Sequence, residues 1–395
     1  MLNEQQQKAA KEIETLRGKH KGMHTLMGYA GTGKSYMCGY LASQVFRNPC
    51  MCSPTNKASR VLSKFTGKEA ITLAQALCLR LDKGSLMQYA DPMDKLKEHD
   101  VLIIDEASML GKSYMKRLQE QVDIPILFIG DPEQLPPVKE EHEGAPAFKV
   151  KDKSMLTQIV RQAEGNPLIA YSMKIRTEGF DEDIPVDGES IIAMEDSKAI
   201  PLSVAAAKSG SSFVVAAWRN KTVDAHNLAV HRLLHPDGSE FSEGEKIVFQ
   251  APTKDPLSGE ILFSNGDEAI VQKVRDSVWT TPEGSGVELR LPAWLVTLDT
   301  GDVVKVLKRT SKQNFQSHID GLFQRGMAPL AWSLIESVSD IKHTYAMTVH
   351  KLQGSTYDAV GVKTQDLLSC PIGDIRRKLA YVAVTRAKKK VVFFV

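Results

Sequence analysis

The sequence predicts an α/β protein built on parallel sheets, and three observations carry that prediction. Strand-length apolar runs alternate with helix-length segments at Thr25 to Gly28, Pro49 to Ser53, Val101 to Ile104 and Ile124 to Ile129, the mark of strand–helix–strand units. The run GYAGTGKS, Gly28 to Ser35, fits GxxxxGK[ST] between the first of these strands and a helically spaced stretch, Tyr36 to Val45, which is the strand–loop–helix context of a P-loop. Finally, Asn166-Pro167 breaks the pattern and a fresh series begins with a helix from Leu168 and a strand Phe213 to Trp218, so a second α/β unit is expected.

Each element has a chemical reading. Gly31 and Gly33 let backbone amides curl round phosphate oxygens, Lys34 would reach the β- and γ-phosphates, and Ser35 would hold Mg²⁺. The ligand implied is a nucleoside triphosphate. The first insertion, between about Phe65 and His99, carries a helix near Leu73 to Leu81 and no other clear regular element. From Lys246 to Lys308 short β-like runs (EAIVQKV, VELRLPAWLVTL, DVVKVLK) punctuated by Gly and Pro read as an inserted small β domain. A helical segment around Trp332 to Val338 follows, and the α/β pattern resumes with Tyr345 to Val349, Asp358 to Lys363 and Val391 to Val395.

Composition sets the outer bounds. A chain of 395 residues with 42% apolar and 25% charged residues is expected to fold as two or three soluble domains. A net charge of +2 does not announce a nucleic-acid binder, so local clusters must carry that argument. The five cysteines (Cys38, Cys50, Cys52, Cys78, Cys370) lack CxxC spacing and read as buried thiols. The polar N-terminal segment is expected to be neither a signal peptide nor an anchor, and no apolar run approaches the roughly 20 residues of a membrane span; a reducing cytoplasmic compartment is expected.

VLIIDEAS puts Asp105 and Glu106 at the carboxyl end of a buried strand, the sheet edge where ligands bind. Asp105 would complete the Mg²⁺ shell and Glu106 would polarise the attacking water; two acids at a strand end can also cap the next helix. LFIGDPEQLPPV repeats the geometry, with Gln134 placed to sense a γ-phosphate, although three prolines would favour a turn there regardless. Trp218, Trp332 and Phe263 are candidate stacking platforms for bases, with core packing the competing role.

Taken together, these motifs resemble superfamily 1B helicases, specifically the RecD-like group and within it the Dda type, over essentially the whole chain. LNEQQQKA is similar to the adenine-reading Q motif, with Gln6 at the glutamine position; GYAGTGKS is similar to motif I, CSPTNKAS to motif Ia, IIDEAS to motif II, FIGDPEQLPPV to motif III, LTQIVR to motif IV, AMTVHKLQGST to motif V and YVAVTRAK to motif VI. Where such helicases often carry T-hydrophobe-H in motif Ib, this chain reads Thr72-Leu73-Ala74, which puts a contact through the histidine in doubt. The resemblance implies two RecA-like motor domains (1–68 with 100–166, and 167–245 with 339–395), a short pin insertion in the first (69–99) and a small β-rich, SH3-like insertion in the second (246–338). It implies ATP and Mg²⁺, with catalytic roles for Lys34, Asp105, Glu106, Gln134, Arg161 and Arg386, and nucleotide contacts from Gln6, Gly28, Ala30, Gly31, Thr32, Gly33, Lys34, Ser35, Gln134, Arg161, Gln353, Gly354 and Arg386. Ser35 and Asp105 would hold the metal.

DNA contacts follow at Pro54, Thr55, Asn56, Lys57 and Thr72 in the first core and Thr348, His350 and Lys351 in the second. Met87 and Tyr89, in Gly84 to Pro92, would separate strands. The implied activity is ATP-dependent 5′ to 3′ DNA unwinding on single strands and duplex junctions, by a monomer, with replication or recombination proteins as potential partners. An RNA helicase, a protein-displacing translocase and an ATP-gated strand-binding module are the alternatives.

Overall fold

The computed structural model describes residues 2–82, 85–137, 140, 143–160, 165–254, 261–281 and 288–395. Contacts divide the chain into two compact units: Met1–Arg80, Gln88–His226 and Tyr345–Val395 make the first, and Leu81–Met87 with Asn227–Thr344 make the second.

The chain begins with α1 (Glu4–Glu14), β1 (Met23–Gly28), α2 (Lys34–Tyr40), β2 (Pro49–Ser53), α3 (Asn56–Thr66), β3 (Ala70–Thr72) and α4 (Leu73–Ala76). It continues through β4 (Leu79–Asp82), β5 (Ser85–Gln88), α5 (Met93–Leu96), β6 (Val101–Ile104), α6 (Lys112–Gln121), β7 (Ile126–Gly130) and β8 (Asp152–Leu156). Six of these strands form a parallel sheet in the order β3-β2-β6-β7-β1-β8, while β4 and β5 pair separately. The helix expected after Gly28 is α-helical only to Tyr40 and closes in a π turn, Leu41–Val45.

Strand β2 shows why this sheet is legible as parallel. Cys50 and Cys52 pack with Leu102 and Ile104 on one face, and Met51 packs with Val101 and Ile103 on the other. A strand buried on both faces carries an unbroken apolar run, as VLII does. All five cysteines are free and buried, as expected. The predicted helix Leu73 to Leu81 is corrected: it stops at Ala76, and Cys78 takes φ 51° before the chain enters β4.

The chain then runs through α7 (Pro167–Glu178), β9 (Ile191–Met194), α8 (Ala199–Ser209), β10 (Phe213–Ala217) and α9 (Asn220–Leu234). Asn166 caps α7 through the Leu168 amide with Pro167 in the first turn, which is why the break at Asn-Pro is also a helix start.

The second unit holds β11 (Lys246–Phe249), β12 (Thr253–Lys254), β13 (Ile261–Phe263), β14 (Glu268–Thr280), β15 (Arg290–Leu298), β16 (Val303–Leu307), α10 (Arg309–Gln324), α11 (Ala328–Glu336) and β17 (Ile341–His343). Five strands form an antiparallel sheet, β16-β15-β14-β11-β17, and β12 pairs with β13. The three β-like runs of the sequence are thus β14, β15 and β16.

The first unit resumes with β18 (Ala346–Thr348), α12 (Val349–Leu352), β19 (Tyr357–Lys363), α13 (Thr364–Leu368), α14 (Gly373–Thr385) and β20 (Ala387–Phe394). Its second parallel sheet is ordered β18-β10-β19-β20-β9. Among the described residues no helix is long and apolar enough to cross a membrane.

Candidate functional site

The P-loop leaves β1 at Gly28 and enters α2 at Lys34. Gly31 and Gly33 take φ 78° and 82°, a left-handed conformation that glycine adopts without a Cβ penalty. A Cβ on Gly28 would lie 2.7 Å from Thr32 Oγ1, and one on Gly33 2.7 Å from Gln6 Nε2. The wrap is therefore too tight for side chains, and its amides form a cradle that suits a phosphate chain. Lys34 Nζ donates to the Gly28 and Tyr29 carbonyls at 2.6 and 2.8 Å and lies 3.7 Å from the Asp131 carboxylate. Gln6 is buried; it closes a capping box with Asn3 and donates through Nε2 to Thr32 O at 3.2 Å, so α1 holds the loop. The Arg176 guanidinium lies 3.5 Å from the Tyr29 ring centroid.

Asp105 and Glu106 stand at the end of β6. The surrounding protein desolvates the Asp105 carboxyl and, with the charge of Glu106, pushes its pKa up to about 7. A hard cation would relieve that strain, and the oxygen donors of Ser35 and Asp105 suit Mg²⁺. Glu106 takes φ 53°, a conformation that costs a non-glycine residue about 1 to 3 kcal/mol and clusters at functional sites. Its amide donates to Asp105 Oδ1 at 2.9 Å.

Elements of the second parallel sheet hold the loop after β7. Tyr381 of α14 donates to Asp131 at 2.7 Å, Lys378 donates to Pro132 O at 3.3 Å, and Arg377 pairs with Glu133. Gln353, just past α12, donates to Leu135 O at 3.0 Å and lies 3.5 Å from Gln134 Oε1. Arg386 follows α14 and is buried; Nη1 meets Ser355 O at 3.5 Å, while its buried Nε finds no hydrogen-bond partner among the described residues. An orphaned guanidinium donor is a fit for an anionic oxygen. Arg161 lies outside the described residues.

Of the residues expected to grip a strand, those that open α3 lie near the turn after α12. Pro54 leads out of β2, Thr55 caps α3 through the Ala58 amide at 3.2 Å, and Asn56 and Lys57 open the helix. Thr72 caps α4 through a box with Gln75. Thr348 ends β18, and His350 and Lys351 sit in α12. Gly354 has φ 71°, and a Cβ there would lie 3.2 Å from that of Ala58; this close approach brings α3 against the turn after α12. Lys57 donates to the Tyr357 hydroxyl at 3.4 Å.

Phe263 is corrected as a stacking platform: it is buried and stacks on Phe249 in the core of the second unit. Trp332 packs edge-on against Phe323, and Trp218 is half-buried. Met87 and Tyr89 are half exposed, at 51% and 50%. Sequence reasoning missed Tyr381, although it opens the run YVAVTRAK. It also missed Asp366, whose carboxylate receives the Trp218 and Arg219 amides, Arg219 Nε and Thr222 Oγ1 at 2.6 to 3.0 Å and so caps the start of α9.

An AAA domain family model matches residues 1–196 and a UvrD-like helicase C-terminal domain model matches residues 343–394. The chain is 27% identical to the ATP-dependent DNA helicase dda of Enterobacteria phage T4, over 98% of each protein. The chain thus resembles the superfamily 1 helicases of the Dda and RecD-like type. It is also 27% identical to the ATP-dependent RecD2 DNA helicase of Deinococcus radiodurans, over 92% of this chain but 46% of that protein. Among solved structures, a Bacteroides Pif1 helicase in complex with ADP-AlF3 and ssDNA matches over 100% of this chain and 92% of that one, with TM-score 0.56 and 18% identity. A Candida albicans Pif1 helicase matches with TM-score 0.51 and 17% identity. At that identity the likeness concerns the fold alone.

Proposed function

We propose that this chain is an ATP-driven DNA helicase that translocates 5′ to 3′ along single-stranded DNA as a monomer. The observation that carries the reading is the joint construction of one site by two parallel sheets. The first contributes the P-loop, Asp105 and Glu106; the second reaches the P-loop and the loop after β7 through Tyr381 and Gln353, and carries the buried Arg386. A nucleotide held there would be felt by both sheets, which gives hydrolysis a way to drive a two-state hinge. The motor domains are taken as 1–68 with 100–166 and 167–245 with 339–395.

Lys34 and the loop amides would hold the triphosphate, Glu106 would take the proton of the attacking water, and Arg386 with Arg161 would stabilise charge in the transition state. Mg²⁺, held by Ser35 and Asp105, would neutralise phosphate charge. Thr55, Asn56 and Lys57 on one sheet and Thr348, His350 and Lys351 on the other offer hydroxyl, amide and cationic groups that suit phosphate oxygens. Binding should then be largely indifferent to sequence, with each neutralised phosphate steepening the log affinity against log salt plot by about 0.7. The segment 69–99, with the β4–β5 pair, supports a separating pin, and the four strands of the antiparallel sheet that fall within 246–338, β11, β14, β15 and β16, support an SH3-like insertion.

The deciding experiment is strand displacement on 5′-tailed and 3′-tailed DNA duplexes, with and without ATP, beside ATPase stimulation by single-stranded DNA and RNA. Unwinding of the 5′-tailed duplex alone, with the stronger stimulation by DNA, is expected. Unwinding of only the 3′-tailed substrate overturns the polarity, and stimulation by RNA alone overturns the DNA assignment.

A further inference from the structure

His231 lies in the last turn of α9, Glu245 immediately precedes β11 and His343 ends β17. All three belong to the second unit, and one ligand atom from each falls within 4.8 Å of the others. His231 Nε2 is 2.8 Å from Ser239 O. A carbonyl only accepts, so Nε2 carries the hydrogen and Nδ1 of the neutral ring is a bare lone pair. That lone pair faces Glu245 Oε1 at 3.0 Å, and the same oxygen is 2.6 Å from His343 Nδ1. A lone pair against a carboxylate oxygen is repulsive unless a cation sits between them, and the cation can be a proton or a metal.

The surroundings favour a metal. Metal-ligating histidines almost always donate their other ring N–H to a carbonyl, carboxylate or water, and ligating carboxylates are themselves hydrogen-bonded. Here His231 Nε2 is committed to Ser239 O, and the second oxygen of Glu245 accepts the Ser242 amide at 3.2 Å. We propose that His231, Glu245 and His343 form a binding site for a divalent transition metal of the zinc class. Two imidazole nitrogens and a carboxylate oxygen are a zinc donor set, with bonds of about 2.0 to 2.2 Å.

The His231 and His343 rings stack with centroids 4.2 Å apart and planes 16° from parallel. Nitrogen lone pairs lie in the ring plane, so coordination turns the rings out of this stack toward a shared point. The chain joins the second unit at Asn227 and leaves it at Thr344, so the site clips together the first and last segments of an excursion on the order of a hundred residues. Metal bound there adds directly to the stability of that unit.

The test uses the full chain, purified without a polyhistidine tag or chelator. Elemental analysis is expected to find close to one zinc per chain, and the stripped protein loaded with Co²⁺ should show the visible d–d bands of a tetrahedral site. Zn²⁺ titrated against a chromogenic chelator should bind Glu245→Gln at least 100-fold more weakly than the parent, a loss beyond the roughly 10- to 100-fold of an outer-shell change. Because that variant could misfold, His343→Cys supplies a second measurement: it should keep the zinc and add a thiolate-to-cobalt charge-transfer band. The proposal is overturned by a parent that retains no stoichiometric metal and whose melting temperature is the same in Zn²⁺ and in chelator; a proton then holds the cluster. It is equally overturned if His343→Cys binds Co²⁺ with no new band.

Discussion

The Tyr381 hydroxyl donates to the Asp131 carboxylate at 2.7 Å while accepting the Ala30 amide at 2.9 Å. One side chain from α14 thereby joins the P-loop to the loop after β7, with both of its partners in the first sheet. Burial, and then the negative charge of Asp131, raises the Tyr381 pKa, so the phenol remains a donor throughout the working pH range. Tyr381→Phe leaves a buried carboxylate short of a donor and is expected to destabilise by about 1 to 3 kcal/mol. In a double-mutant cycle with Asp131→Asn, read by denaturant midpoints, the double variant should be little worse than the poorer single one. Additive losses show that the two residues act independently.

Glu106→Gln should bind ATP and DNA as the parent does while turnover falls by roughly 10²-fold or more, because the amide keeps the shape but cannot take up a proton. The substitution leaves the backbone at φ 53° unchanged, so thermal stability is expected to hold. Turnover within about tenfold of the parent removes Glu106 from the role of general base.

Arg386 is buried with an Nε that no described residue engages. Arg386→Ala should lower the rate of hydrolysis in saturating DNA by up to roughly 10³- to 10⁵-fold, the range of arginine fingers, and Arg161→Ala is expected to fall in the same range. Normal hydrolysis by either variant makes that arginine structural. Arg386→Lys should not restore the rate, because a point charge cannot reproduce the fork of donors.

His226 is buried beside Ser203, with Nε2 and Oγ 2.8 Å apart. Burial, reinforced by the charge of Lys363, pushes its pKa down from 6.5 to about 4. The folded state therefore favours the neutral ring. The stability this contributes is fully present above pH 6.5 and is lost as pH falls toward 4, amounting to about 3 kcal/mol at 1.36 kcal/mol per unit. Melting temperatures across that window should fall further for the parent than for His226→Gln, and parallel curves show that other groups set the acid limit.

The contrast between β6 and the β4–β5 pair shows what the residues alone could reveal. Val101 to Ile104 reads as a central strand because both of its faces are buried and the whole run is apolar. Leu73, Leu77 and Leu81 keep helical spacing, yet the chain reverses at Cys78 with φ 51°, a conformation for which cysteine gives no local signal. The P-loop is legible because its glycines, lysine and serine all lie within eight consecutive residues. Asp366 is not, since the α9 cap it completes begins at Trp218 and only the assembled sheet brings the two together. Phe263 misled for a related reason: an aromatic in a short strand looks the same whether it will stack on a base or on Phe249.

Met87 lies in β5 and Tyr89 just after it, with 51% and 50% of their surface exposed, and Tyr89 is tethered by its amide to Cys78 O at 3.0 Å and by its hydroxyl to Lys95 at 3.2 Å. A half-exposed apolar pair on a backbone anchored in this way suits a wedge, because a rigid base lets the side chains resist the unstacking load of a duplex end, a few kcal/mol per step. Translocation makes no such demand. Replacing both residues with Ala should therefore abolish unwinding of a 5′-tailed duplex while ATPase stimulated by single-stranded DNA survives within about twofold. Lys95→Ala, which frees the Tyr89 hydroxyl without shortening the wedge, should slow unwinding less than the double variant. Equal loss of ATPase and unwinding in the double variant assigns these residues to packing, and full unwinding by it assigns strand separation to another part of the chain.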